Sequence, residues 1–263
     1  MIFLFCHYLP ALVATTLVFF VFSPQVAQEQ LLKKSFQEWS KVEVTKLLND
    51  SAWAKTQAVR VLRRKQLRTI AGQVNVDPTT TSTVDRQAPL GGAEDALEFK
   101  FTIRLRSSLP IRQAIVRLVQ LEAKYDQLPA AQKKSIDAQT RELLECKECV
   151  DNYVISVGFG STNSQGVDLI YDWFRGQSVE SLKGYIYIQN DRGERRELAS
   201  FIPPRVAGDE AFFFFARLGK DGKPLITPDN KRLLFRMSDA HANSVTNFRL
   251  DVSRMVVNGR VEF

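Results

Sequence analysis

The segment "FKFTIRL" followed by "SSLPIRQAIVRLVQLEAKY" sets the strongest constraint on what this chain can become. Phe99, Phe101, Ile103 and Leu105 alternate with Lys100, Thr102, Arg104 and Arg106, a period of two that only a strand with one buried face satisfies. Directly after it, Ile111, Ile115, Leu118, Leu121 and Tyr125 recur at helical spacing behind Ser108 and Pro110, a helix-opening pair. A fold that accepts both periods side by side has helices laid on a sheet. A second helix is expected after Pro129, running to about Glu145.

From Asn152 the texture is strand throughout: "YVISVGF", "YIYIQ", "RELASF", "AFFFFA", "RLLFRM" and "NFRLDV". Turn signals separate these runs at Asn190-Asp191-Arg192-Gly193, Lys220-Asp221-Gly222 and Asn258-Gly259. The last of these closes a hairpin with Met255–Val257 facing Val261–Phe263. The expected class is therefore α+β: a mainly antiparallel sheet with helices packed on it, helical segments in the N-terminal half and strands in the C-terminal half. The run Phe212–Phe215 does not alternate, which predicts a central strand covered on both faces. The competing reading is an exposed aromatic partner site.

Upstream, "WSKVEVTKLLNDSAWA" is a helix with its own start and stop signals. Ser40 and Glu43 form a capping box, Trp39 and Val44 a hydrophobic staple, and "NDS" ends the helix. Trp53 is expected to pack the exit onto the core. Asn49-Asp50-Ser51 also fits a glycosylation pattern too short to carry weight. Val59–Leu62 reads as a strand, and residues 72–96, rich in Thr, Pro, Gly and Asp, as a flexible loop. The expected organisation is 1–27 as a signal peptide, 28–71 as a capped helix and strand, 72–96 as the loop, and 97–263 as an α+β domain that forms one unit with 28–71.

The first 27 residues contain no charged side chain. Ala11–Phe22 is an apolar run of signal-peptide length, followed by Pro24 and a cleavage position after Ala27. Export to the periplasm or medium is the expected fate. The alternative is an uncleaved N-terminal anchor with Lys33 and Lys34 on its cytoplasmic side.

All of the net charge of +7 thus lies beyond residue 27, and Glu29–Arg68 alone holds ten basic against four acidic residues. Lys100, Arg104 and Arg106 share a strand face, and Arg60, Arg63 and Arg64 join them if the two segments pair. Such a stripe could hold phosphate or carboxylate groups, making an anionic surface or an unknown protein the expected partner. It lacks interleaved aromatics, which argues against single-stranded nucleic acid at that stripe, and no specific nucleic-acid partner is expected. Membrane contact is expected only through an uncleaved N-terminal segment or through surface charge.

Beyond residue 27 the only cysteines are Cys146 and Cys149, in "CKEC". The pair follows a helical pattern, so it sits where the helix dipole opposes thiolate formation, and no His follows for haem attachment. A local disulfide is expected, with neither metal nor cofactor, since zinc would need further ligands. Gly158-Phe159-Gly160 follows a strand, but Asn163 stands where a dinucleotide fingerprint needs small residues and no helix is expected to open there. Ser238, Asp239 and His241 are too close in sequence to assemble a triad. No catalytic residue is assigned.

The segments "WSKVEVTKLLNDSAWA", "SSLPIRQA" and "SRMVVNGRVEF" resemble those of an uncharacterised family of exported bacterial proteins, over Trp39–Phe263. Members often carry Pro where this chain has Ala52. The resemblance implies export and a shared fold, and it implies no activity, cofactor or site. Two functions follow as expectations: a non-catalytic envelope or secreted protein that binds a partner or anionic surface, or an extracytoplasmic hydrolase with convergent carboxylates or His241.

Overall fold

A computed structural model describes residues 24–62, 96–161, 164–206, 208–238 and 245–263. The first elements are the helix α1 (Pro24–Leu32), the helix α2 (Lys41–Asn49) and the strands β1 (Ala54–Leu62) and β2 (Ala96–Leu105). The helices α3 (Leu109–Glu122) and α4 (Ala130–Glu145) follow, then β3 (Asn152–Ser161), α5 (Ser164–Arg175) and the single turn α6 (Val179–Leu182). The strands β4 (Ile186–Asn190), β5 (Arg195–Glu197), β6 (Ser200–Ile202), β7 (Ala211–Ala216), β8 (Arg232–Ser238) and β9 (Val245–Asp251) complete the sheets. A hairpin of β10 (Val256–Val257) and β11 (Arg260–Val261) ends the described chain. The class is α+β.

The strands form two main antiparallel sheets, ordered β1-β2-β3-β7-β6 and β5-β4-β8-β9. Their inner faces meet. Ile103, Leu105, Ile155, Val157, Phe213 and Phe215 of the first and Ile186, Ile188, Leu233, Phe235, Phe248 and Leu250 of the second are buried in one cluster. Phe235 joins them directly, its ring 5.7 Å from that of Phe213 and 6.2 Å from that of Phe248. Stripping a phenylalanine from such a site costs about 3–5 kcal/mol. Trp39, Val44, Leu47, Leu48 and Trp53 belong to the same cluster, so α2 and its flanks are fastened to the sheets rather than forming a separate core.

The capping box at Ser40 is present: the Glu43 N–H donates to Ser40 Oγ, and the Ser40 N–H donates to Glu43 Oε2 at 2.8 Å. The Ser40 bond is also the main reason the Glu43 carboxyl titrates below its ordinary range. Trp53 is fully buried, and its Nε1 donates to the Glu262 carbonyl at 2.6 Å. The hairpin turn stands on Asn258 (φ 50°) and Gly259 (φ 76°), the left-handed pair that a two-residue turn of this kind requires.

Four expectations change. The strand expected from Val59 begins at Ala54 and is paired with β2 along its whole length. "RELASF" is not one strand. The chain turns at buried Leu198, so β5 pairs with β4 in the second sheet while β6 pairs with β7 in the first. A helix does open after Gly158-Phe159-Gly160: α5 starts at Ser164, and its Phe174 is fully buried against Phe159 (5.4 Å) and Phe213 (6.1 Å). It is no dinucleotide-binding unit, because β3 pairs antiparallel on both sides and β4 enters the other sheet. Finally, β7 is an inner strand as expected, between β3 and β6, but its two faces are covered unequally: Phe213 and Phe215 are buried between the sheets, while Phe212 and Phe214 are half-buried on the outer face. Residues 1–23 and 63–95 lie outside the described residues, and with them the apolar N-terminal run and nearly all of the expected loop. Among the described residues no helix is long and apolar enough to cross a membrane.

Candidate functional site

The outer face of the first sheet carries a cleft. Register fixes its floor: Arg104 lies opposite Ser156 and Ser156 opposite Phe212, while Val154 pairs with Phe214 in the next row. Cross-strand partners point to the same side, so Val154, Phe212 and Phe214 form an apolar floor, with Arg104 and Arg106 along one flank. The walls come from the ends of α3 and α4 (Arg112, Leu143, Cys146) and from Ile202, Pro203, Arg205 and Gly208–Glu210, enclosing about 610 Å³. That size suits a compact organic ligand.

The charges around this floor are organised by Glu210. Arg104 donates through Nε to the Leu48 carbonyl (2.8 Å) and through Nη2 to Asn49 Oδ1 (3.0 Å), and its Nη1 is ion-paired with Glu210 Oε1. It therefore ties the end of α2 to the sheet and to the loop before β7. Arg106 differs. Its Nη1 lies 3.7 Å from Glu210 Oε2, its guanidinium lies over the Phe212 ring at 5.3 Å, and it makes no hydrogen bond to any described residue. Arg104, Arg106 and Glu210 side chains are only 16%, 16% and 20% exposed. Burial pushes the Arg106 pKa down, opposed by the charge of Glu210; an arginine starts so high that it stays charged. Glu210 Oε2 is itself buried without a hydrogen-bond partner.

Arg112 lines the wall, and Arg217 braces the segment that carries the disulfide. Arg112 donates from Nη1 to the Leu144 carbonyl, satisfying an end carbonyl of α4, and burial lowers its pKa. Arg217 donates from Nε to the Cys149 carbonyl at 2.9 Å and lies over Tyr153 at 4.8 Å. Cys146 and Cys149 are joined by an S–S bond of 1.93 Å at the end of α4. Cys146 takes the left-handed cap conformation (φ 40°), and its N–H donates to the Glu142 carbonyl. The bond thus closes the helix terminus where it forms the rim of the cleft.

The basic stripe expected on β2 is therefore not an open row. Lys100 is exposed, but Arg104 and Arg106 converge on Glu210, which comes from a loop 106 positions further along the chain. β1 does pair with β2, in register that sets Arg60 opposite Glu98. The side chain of Arg60 and the whole of Arg63 and Arg64 lie outside the described residues, as do Asp239 and His241. Ser238, the remaining member of that trio, donates its hydroxyl to the Tyr185 carbonyl at 3.0 Å. Two of the four carboxylates lining the cleft are engaged: Asp209 Oδ2 accepts the N–H groups of Arg205 and Val206, and Glu210 is ion-paired. Among the described residues no three His, Cys, Asp or Glu side chains cluster as a metal site would require.

Sequence reasoning missed the pairing with Glu210 and the floor made by Phe212 and Phe214. The one available signal was the break in alternation at "AFFFFA". No family model, curated protein or solved structure matches the chain.

Proposed function

We propose that this protein is a non-catalytic binding module whose cleft holds a compact ligand with an apolar body and a single carboxylate. The observation that carries this reading is Arg106: a mostly buried guanidinium at the edge of an aromatic floor, with none of its donors in a hydrogen bond to a described residue. Hydrogen bonds to a charged group contribute about 1.5–3 kcal/mol, and a planar guanidinium matches a carboxylate in both oxygens.

Charge selects against more strongly anionic ligands. Arg106, Arg112 and Arg205 line the cleft against Glu142, Glu148, Asp209 and Glu210, leaving one carboxylate in excess. A dianionic phosphate would meet more repulsion than a monocarboxylate, whose single charge falls to Arg106 while its apolar part is buried on Phe212, Phe214 and Val154. Half-exposed Leu143 and Ile202 at the mouth extend that apolar surface. The site belongs outside the cytoplasm in this reading. Support comes from the charge-free apolar N-terminal run and from the disulfide at the cleft rim, a bond that persists in oxidising compartments.

The test is calorimetric titration with hexanoate and phenylpropionate, each beside its matching alcohol. The carboxylates should bind at least about tenfold more tightly than the alcohols, and Arg106→Gln should remove that difference. Equal affinity for acid and alcohol, or full carboxylate affinity in Arg106→Gln, would refute the reading. Intact mass of natively expressed protein should show the loss of about 27 residues; retention of Met1 would refute export.

A further inference from the structure

The face of the second sheet turned away from the core carries a different set of arginines. Register places Tyr187, Arg236 and Asn247 in one row and Arg195, Gln189, Leu234 and Arg249 in the next, with Arg232 beyond them opposite Asp251. The residues between them along each strand, Ile188, Leu233, Phe235, Phe248 and Leu250, are buried, so this whole set faces outward. Arg195 is ion-paired with Glu197 and lies over the Tyr187 ring at 4.7 Å; Arg236 approaches the same ring at 5.8 Å. Arg232, Arg236 and Arg249 have neither a carboxylate nor a hydrogen-bond partner among the described residues. Tyr185, of the same parity as Tyr187 and one position before β4, is 43% exposed.

Three unpaired guanidiniums therefore zigzag between β8 and β9. Neighbours two apart on a strand, or diagonal across a pair, are separated by about 7 Å. An extended polyanion with a charge on every unit can follow such a row. Tyr185 and Tyr187 flank it, and arginine planes stacked on Tyr187 extend the flat surface. Cations interleaved with aromatics are the two ingredients of a single-strand platform, since every base offers a π-face. A pleated open face has no helix or ribbon to enter the groove of a duplex.

We propose that the outer face of the β5-β4-β8-β9 sheet binds single-stranded nucleic acid, with little sequence preference. Arg232, Arg236 and Arg249 take successive phosphates, and Tyr185 and the Arg195–Tyr187–Arg236 stack take bases. This surface is independent of the cleft, which lies on the other sheet.

The experiment uses the purified protein and a labelled oligothymidylate, followed by fluorescence anisotropy. Heparin and a duplex of equal length serve as competitors. Binding should weaken with salt at a log–log slope of about −2, the value for three single-strand phosphate contacts. Arg232→Gln with Arg236→Gln and Arg249→Gln should weaken it at least about tenfold, and Tyr185→Ala about fivefold or more. Should the triple variant lose its native circular dichroism, Arg249→Gln alone, at an exposed position, should reduce the slope by about 0.7. Three results would overturn the proposal: no binding at low salt, unchanged binding in the folded arginine variants, or duplex binding as tight as single-strand binding. A fourth would do the same: heparin competing as well as unlabelled oligothymidylate while Tyr185→Ala has no effect. That result identifies a surface for acidic polysaccharide.

Discussion

The two sheets present the same sequence grammar and different chemistry. In β2 and in the β8–β9 pair alternate residues go to the shared core and the outward set is polar, Leu234 and Val245 excepted. On the first sheet the outward arginines are covered, drawn together by Glu210 and roofed by the ends of α3 and α4. On the second, Arg195 is ion-paired with Glu197, while Arg232, Arg236 and Arg249 have no carboxylate partner among the described residues. Alternation decides which face a side chain occupies; it does not decide what covers that face. A cation under cover needs a partner or a ligand, whereas one in water needs neither, because solvent already screens it.

Removing one carboxylate from each face tests that difference most directly. Glu210→Gln leaves Arg104 and Arg106 poorly exposed and uncompensated, and should cost about 3 kcal/mol in denaturant unfolding. The matching change on the open face, Glu197→Gln, should cost less than about 1 kcal/mol, because Arg195 stays half-exposed. Equal losses would break the comparison.

The covered face also has a covalent fastening. Replacing Cys146 and Cys149 together by Ser frees a four-residue loop, for which chain entropy sets a loss of up to about 2 kcal/mol. Thiol labelling of the unreduced protein should find neither cysteine free.

An intermediate case sharpens the scale. Arg117 is buried, with its Nε on the Trp39 carbonyl, while its partner Asp126 is 63% exposed. The Arg117 hydrogen bond is the main cause holding Asp126 below its ordinary carboxyl range. A depressed carboxyl pKa contributes stability that is present above the unfolded value and is lost as pH falls through the folded one. Asp126→Asn should therefore flatten the acid limb of the stability profile, with a loss at neutral pH between those of the two glutamates. An unchanged acid limb would mean that exposure of one partner is enough to silence the pair.

Much of the local structure was readable in the chain. The Ser40–Glu43 box, the β2 alternation and the Asn258-Gly259 turn are each set by residues within a few positions of one another, and the helix and turn chemistry involved is local. The cleft was not readable. Its central contact joins Arg104 to Glu210 across 106 positions, and no periodicity reports such a meeting. α5 escaped notice because its polar opening, "STNSQG", reads as a turn and hides the helical spacing of Val167, Ile170, Tyr171 and Phe174. The basic stripe was placed on the correct face of β2, but the roof over that face comes from elements far along the chain.

The bond from Trp53 to the Glu262 carbonyl spans 209 positions, and Gln28 Nε2 donates to the Arg254 carbonyl across 226. Leu109, at the start of α3, gives its N–H to the Glu262 carboxylate, and Arg217 reaches the Phe263 carbonyl. Residues 254–263 thus bolt together segments made much earlier. These closures join distant segments, so they cannot precede synthesis of residues 254–263. A nascent chain ending before Arg254 has its helices and hairpins available but no lock. Under the export proposed above, such a late lock would act as a built-in delay.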